Sequence, residues 1–361
     1  MNILMLRPQI ELGGVSAHIK LLASGLRETG QQVSVATSGG EWMPALESAG
    51  IAVFTFPLHP STPLNLARSI LRLSHFVRVN QIDLLHSHHR FTTIVGRMVQ
   101  RLTGVPLITT VHEFKIDGQL TAPLWARNMT IAPSQALKAH LVSFYGACPD
   151  QVFVIPHAIE IDCVSDNQRR ANALPISAGS LTIGYIGRLS PEKGARYFLE
   201  SIPLIRRRYP DIQCVIAGDG PEAMALRRLA DNLGLDSAQI FLGARQDIDA
   251  LLDTLDVVII PSLSESFSMV ALEAMRAARP VIATAVGGLP EVVRDGETGL
   301  LAAPASPDAL SEKIVLLLVD PELRRRLGAR GRQVLKEAHH PALMVARTLD
   351  AYRAARSAGQ R

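Results

Sequence analysis

Val257-Val258-Ile259-Ile260-Pro261-Ser262-Leu263-Ser264-Glu265-Ser266-Phe267-Ser268-Met269-Val270-Ala271-Leu272-Glu273-Ala274-Met275 decides the fold class. Four β-branched apolar residues in a row, too short for a helix and not alternating with polar ones, read as a strand buried on both faces of a parallel sheet. Pro261 ends the strand, a serine-rich loop follows, and an apolar helix begins near Ser268. The unit is therefore strand, loop, helix.

The same unit recurs in both directions along the chain. Upstream, strands are expected at Asn2 to Leu6, Val33 to Thr37, Ala52 to Phe56, Asp83 to His86, Leu107 to Val111, Met129 to Ala132 and Val152 to Ile155, with helical stretches between them. A polar stretch, Ser165-Asp166-Asn167-Gln168-Arg169-Arg170, followed by Pro175 and Gly179, interrupts the pattern and reads as a linker. The pattern restarts with strands at Leu181 to Ile186, Gln213 to Ala217, Ile240 to Leu242, Val257 to Ile260 and Val281 to Ala283. Beyond Ser306 the chain is almost wholly helical, with stops at Pro321 and Pro341, the latter expected to bend or restart the helix. Two doubly wound α/β domains are expected: 1–164, a linker 165–180, and 181–341, with 342–361 packing back on the first domain. Their strand C-terminal ends are expected to face each other across a ligand cleft.

Composition narrows the function classes. The 361 residues are 47% hydrophobic and 19% charged, a balance that folds throughout. A net charge of +4 over this length gives no basic field of the kind that drives nucleic-acid binding. Only six lysines are present, so a functional lysine comes from a short set. Cys148, Cys163 and Cys214 are scattered and show no CxxC spacing, which indicates neither a disulfide framework nor a zinc site and suits a reducing cytoplasm. No apolar run approaches the length of a membrane-spanning helix, and Met1 to Leu6 is cut off by Arg7-Pro8.

Several strand ends carry groups suited to an anion. Gly13-Gly14 precedes a helix whose free amides can hold a negative charge, although a double glycine also serves as a plain tight turn. In Gly187-Arg188-Leu189-Ser190-Pro191-Glu192-Lys193-Gly194, two cations share one strand-to-helix loop, which suits a diphosphate; the alternative is a solvated loop pairing with Glu192. Asp219, in Ala217-Gly218-Asp219-Gly220, suits a helix cap. Glu265 lies before the helix of the opening stretch and Glu273 about two turns into it, with Ser266 and Ser268 at the helix start. Two carboxylates about 12 Å apart, if all the intervening chain were helical, can bracket an extended ligand: hydroxyls on the acids, phosphates at the helix end. The alternative is a pair of surface glutamates.

This segment resembles the paired-glutamate signature of the retaining glycosyltransferases of family four, which have the GT-B architecture. Further matching blocks run along nearly the whole chain: Gly13-Gly14-Val15, His86-Ser87-His88, Thr110-Val111-His112, Ala132-Pro133-Ser134, Val154-Ile155-Pro156, Gly187-Arg188 through Lys193-Gly194, Ala217-Gly218-Asp219-Gly220, Phe241-Leu242-Gly243 and Gly287-Gly288-Leu289-Pro290-Glu291. The resemblance implies that Arg188 and Lys193 hold the donor diphosphate, helped by Gly13, Gly14 and Gly187. It implies that Glu273 bonds the ribose, and that Glu265 with the Ser266, Phe267, Ser268 and Met269 backbone bonds the transferred sugar and its phosphate. His112 would sit beside the reacting sugar carbon. Arg and Lys would take the place of a metal ion, so neither metal nor cofactor is expected, and the leaving phosphate would accept the acceptor's proton. The chain departs from the family at Pro156-His157-Ala158, where relatives commonly have Pro-Asn-Gly, at Ser266-Phe267-Ser268, where a glycine-rich run is usual, and at Ala278, a frequent glycine.

Other signals point to structural roles. Asp247-Ile248-Asp249 has the form of an acidic metal motif, but capping of the following helix is the expected job. His86, His88 and His89 lack a carboxylate or cysteine partner and are expected to line the cleft. Leu64 to Val79 sets Leu66, Ile70, Leu73 and Val77 on one helical face and Arg68, Arg72 and His75 on another, which suits packing on the sheet or contact with an anionic membrane. The reading that joins these parts is a hexosyltransferase, cytoplasmic or peripheral at the inner membrane face, moving sugar from a UDP- or GDP-sugar to a glycan or lipid-linked acceptor in cell-surface polysaccharide or glycolipid synthesis. A nucleotide-sugar epimerase and a non-catalytic nucleotide-sugar binding protein are the alternatives.

Overall fold

The computed structural model describes residues 1–11, 13–58, 62–114, 128–161 and 180–359. They divide into two compact units, Met1–Ile159 with Pro341–Arg361, and Glu160–His340. Apart from residue 180, the linker expected over 165–180 lies outside the described residues.

The first unit holds a seven-stranded parallel sheet: β1 (Asn2–Leu6), β2 (Gln32–Thr37), β3 (Ala52–Thr55), β4 (Leu84–Ser87), β5 (Leu107–Thr110), β6 (Met129–Ala132) and β7 (Val152–Val154), in the order β3-β2-β1-β4-β5-β6-β7. Strand side chains alternate between faces, and both faces of β1 are dry. Ile3 and Met5 enter a core with Ile19, Leu22 and Leu26, whereas Leu4 and Leu6 enter one with Leu73, Val77, Val95 and Val99. That is why the strand reads as an unbroken apolar run. Helix Pro341–Gly359 packs against helix Gly14–Glu28 and completes the first of these cores with Met344, Val345 and Tyr352. The helices meet closely at Gly25, where a Cβ would lie 2.6 Å from Val345 Cγ2.

The second unit holds a six-stranded parallel sheet: β8 (Thr182–Ile186), β9 (Gln213–Ala217), β10 (Phe241–Gly243), β11 (Val257–Ile260), β12 (Val281–Thr284) and β13 (Gly299–Ala302), in the order β10-β9-β8-β11-β12-β13. Both units are doubly wound, as the strand-helix alternation predicts. Strand β13 was not expected, because Gly-Leu-Leu-Ala is short and opens on glycine. Its Gly299 is required by the approach to β12, since a Cβ there would lie 2.3 Å from the Val281 carbonyl oxygen. Pro341 restarts the helix as expected, and Pro321, expected as a stop, also opens one: helices Pro307–Val319, Pro321–Ala338 and Pro341–Gly359 each open on proline. Ser306 and Asp320 cap the first two, accepting from the amides of Ala309 and Leu323.

Candidate active site

Strand order reverses between β8 and β11 in the second sheet and between β1 and β4 in the first, and ligands of such sheets bind beyond the strand ends at these points. Most of the expected site residues fall in the loops that follow these strands.

In the second unit, β8 ends at Ile186 and the chain turns at Gly187 under the buried Tyr185, whose hydroxyl donates to the Arg188 carbonyl at 2.7 Å. The Arg188 side chain is left exposed. A single 3-10 turn, Pro191–Lys193, leads to Gly194 in the left-handed region, φ 66°. A Cβ on Gly194 would lie 2.0 Å from the Pro261 carbonyl oxygen, so the loop after β8 touches the loop after β11 backbone to backbone. The amide of Leu263 donates to the Glu192 carbonyl at 2.8 Å across the same contact.

This approach delivers Lys193 to Glu265. The ammonium donates to Glu265 Oε2 at 2.7 Å, and the Ser262 hydroxyl donates to the same oxygen at 3.3 Å. Glu265 is 8% exposed and Lys193 31%. The pairing with Glu192 is therefore not what Lys193 makes; Glu192 takes the Ser190 hydroxyl. Behind the pair, the amide of Gly288 donates to the Glu265 carbonyl at 2.9 Å and fixes the loop.

Four residues later, helix Met269–Arg276 begins. Ser268 is its cap, its hydroxyl accepting from Ala271 N at 3.3 Å, and the amides of Met269 and Val270 have no acceptor within the helix. Ser266 and Phe267 are buried, the Phe267 ring lying edge-on to His339 at 5.7 Å. Glu273 is the fifth residue of this helix, one turn in rather than two, because the stretch from Ser266 to Ser268 is not helical. Desolvation pushes its carboxyl up to about 7; Arg276 pulls it down and Asp249 adds to the rise. Arg276 pairs with Asp249 and also donates to the Glu160 carbonyl.

Two expected caps are corrected. Asp247 occupies the cap position of helix Ile248–Thr254, but its carboxylate goes to Arg245 and makes no cap bond. Asp219 accepts from Gly220 N at 2.7 Å, and the next helix starts only at Ala223. With Asp249 held by Arg276, the acidic pair of the metal-like motif is spent on two arginines.

In the first unit, Gly13 (φ 152°) precedes helix Gly14–Glu28, whose first turn has no side-chain cap. Nearby, histidines converge. His86 is fully buried with Nδ1 2.7 Å from the Tyr352 hydroxyl and Nε2 2.7 Å from Thr110 Oγ1, which makes it part of the core rather than a cleft-lining residue. His89 caps helix Arg90–Thr103, its Nδ1 accepting from Phe91 N. His112, just past β5, has Nε2 3.3 Å from His88 Nδ1 and Nδ1 3.4 Å from His157 Nε2. His18, on the buried face of helix Gly14–Glu28, has its ring centroid 4.3 Å from that of His157. Burial lowers His18 to about 4 and His86 to about 3; the same desolvation, reinforced by neighbouring rings, holds His88 and His112 well below the usual range.

Sequence reasoning assembled His86, His88 and His89 and missed His18, His157 and Tyr352. Two signals were available: His18 at an otherwise apolar helical position, and His157 in Pro156-His157-Ala158, where the family resemblance leads one to expect asparagine. The same unit bears a surface groove of about 550 Å³ between β3 and helix Pro63–Val79, lined by Phe54, Phe56, Leu71, Arg72, His75 and Phe76. Leu73 and Val77 of this helix are buried on the sheet, whereas Arg68, Arg72 and Leu71 are exposed. Among the described residues no helix is long and apolar enough to cross a membrane.

The profile of Glycosyl transferases group 1 matches residues 166–334, and that of Glycosyltransferase Family 4 matches residues 12–162. A D-inositol 3-phosphate glycosyltransferase of Corynebacterium glutamicum (strain R) is 30% identical over 360 residues, covering 88% of this chain and 86% of that protein. The chain belongs to glycosyltransferase family 4. Its architecture is GT-B. The Anabaena protein Alr3699/HepE, solved with UDP and with UDP-glucose, matches this family member with a TM-score of 0.86 at 23% identity, covering 98% of this chain and all of that one. A sucrose-phosphate synthase from Thermosynechococcus elongatus matches with a TM-score of 0.83 at 21% identity, covering 99% of this chain and 100% of that one. His157 puts an imidazole beside His112, and Ala278 lies in the left-handed region, at φ 54°.

Proposed function

We propose that this family 4 glycosyltransferase moves a hexose-type sugar, with retention of anomeric configuration, from a UDP- or GDP-sugar to a glycan or lipid-linked acceptor in cell-surface polysaccharide or glycolipid synthesis. The observation that carries the reading is the Lys193–Glu265 pair beside the start of helix Met269–Arg276, at the reversal point of the second sheet. A donor diphosphate draws the ammonium from Glu265 and receives Arg188 and the helix amides, and Glu265 becomes free to accept a hydroxyl of the transferred sugar. As the bond from sugar to phosphate breaks, negative charge grows on the leaving oxygens, and fixed cations stabilise that state more than the ground state. These cations do the work a divalent ion does elsewhere, so transfer proceeds in chelator. Glu273 takes the ribose hydroxyls, Gly13 and Gly14 offer amides to the diphosphate, and His112 stands by the reacting carbon.

The UDP and UDP-glucose complexes of the Anabaena protein support a uridine donor. The exposed arginines of helix Pro63–Val79, beside an apolar groove, support peripheral contact of a cytoplasmic enzyme with an anionic bilayer that holds the acceptor.

The test is release of nucleoside diphosphate from a panel of UDP- and GDP-sugars with lipid and glycan acceptors, with NMR of the product anomer. Lys193→Ala is expected to lower turnover at least tenfold while the melting temperature stays within a few degrees. Near-normal turnover overturns the phosphate role. An altered sugar without acceptor marks an epimerase, and donor binding without release under any condition marks a binding protein.

A further inference from the structure

We propose that the first unit carries a binding site for one divalent transition-metal ion of the zinc type, built from His18, His88 and His112. One ring nitrogen from each lies within 4.8 Å of the other two. In a tetrahedral zinc site with Zn–N of about 2.0–2.1 Å, the ligand nitrogens stand roughly 3.4 Å apart. His88 Nδ1 and His112 Nε2 are already 3.3 Å apart. The widest gap closes by about 1.4 Å or less, a movement within reach of side-chain rotation.

An independent observation points to a ligand. His18 is 4% exposed, and among the described residues neither of its ring nitrogens has a hydrogen-bond partner. Buried polar nitrogens are ordinarily satisfied, so an imidazole with two unmet nitrogens beside two further imidazoles calls for an occupant. A neutral imidazole keeps one ring lone pair to donate to a metal.

The donor set selects the ion. All three ligands are imidazole nitrogens, with no carboxylate or carbonyl among them, which suits zinc and disfavours magnesium and calcium. Binding forms three N–metal bonds, releases all but one of the ion's hydration waters and leaves that one in the fourth position, with no change in oxidation state. A second layer of partners holds the ligands. His86, anchored by Tyr352 and Thr110, lies against His88 with centroids 4.0 Å apart, and His157 Nε2 sits 3.4 Å from the other nitrogen of His112. If His112 serves the reacting sugar, which rests on the functional reading above, the bound ion withdraws that ring and zinc inhibits transfer.

The experiment uses the full chain, stripped with chelator and titrated with zinc alone by calorimetry, followed by cobalt(II) absorption. The expected result is one ion per chain, with intense visible bands of four-coordinate cobalt. His18→Phe keeps the ring volume and removes both nitrogens, and it should weaken zinc at least tenfold; His88→Asn should do the same, and His75→Ala should not. Absence of stoichiometric binding, or binding that neither His18→Phe nor His88→Asn weakens, overturns the site. Zinc bound with these properties but without effect on transfer leaves the site standing and counts instead against the place given to His112.

Discussion

Lys193 and Glu265 neutralise each other where an anionic ligand is expected, and the arrangement fixes how the site responds to charge. A carboxylate 8% exposed needs a partner, and the ammonium supplies it until a phosphate competes. Among the described residues Glu273 has no such cation at hydrogen-bond distance, and desolvation lifts its carboxyl to about 7. Because this value lies above that of the unfolded chain, the folded state binds the extra proton. The resulting stability is full below about pH 4.5 and is lost as pH rises through 7. Glu273→Gln, which imitates the protonated acid, should therefore flatten the dependence of melting temperature on pH between 5 and 8. It should melt above the parent at pH 8 while binding donor more weakly. A variant that keeps the parent's slope would show that another group titrates there.

At the scale of elements, what could be read from the sequence depended on whether an element declares itself locally. Val257–Ile260, Asn2–Leu6 and Met129–Ala132 are strands with the expected bounds, since burial on both faces demands continuous apolar residues. β13 does not declare itself: its pairing along β12 makes it a strand, not its composition. The loop residues Gly187, Lys193, Gly194 and Glu265 were legible because strand-end loops carry glycine and charge in a recognisable order. The histidine cluster was not, because His18, His88, His112 and His157 come from four separate loops and helices and meet only through the sheet. The helix after β11 ends at Arg276, and the turn to β12 passes through Ala278 at φ 54°, a region costly for any residue with a Cβ. Ala278→Gly is expected to stabilise the protein by about 1 kcal/mol, or roughly 2–4 °C in Tm by thermal denaturation. A lower Tm would show that the methyl group packs to better effect than the strain it carries.

For the whole molecule, the two units respond to acid in opposite senses. In the first, His18 and His86 are held at about 4 and about 3, below the unfolded value near 6.5. Their contribution is present above pH 6.5 and lost as pH falls toward 4, since the unfolded chain takes up protons that the folded unit refuses. In the second, Glu273 gains on the same descent. Calorimetry at pH 7.5 and pH 5 should show the transition of the first unit moving down by several degrees relative to that of the second, separating the two peaks. Two transitions that shift together would contradict this.

Helix Pro341–Gly359 belongs to the unit that begins the chain, although the whole of the other unit is spelled out between them. On the ribosome, residues 160–340 therefore emerge with every strand of their own sheet before the first unit receives Met344, Val345 and Tyr352. The order of maturation is reversed with respect to the order of translation: the later unit can close first, and the earlier one waits with an oily helix face and His86 lacking its phenol until residues 341–359 have been made. A nascent chain stalled near residue 340 should therefore protect its second unit from protease and leave its first one open to cleavage.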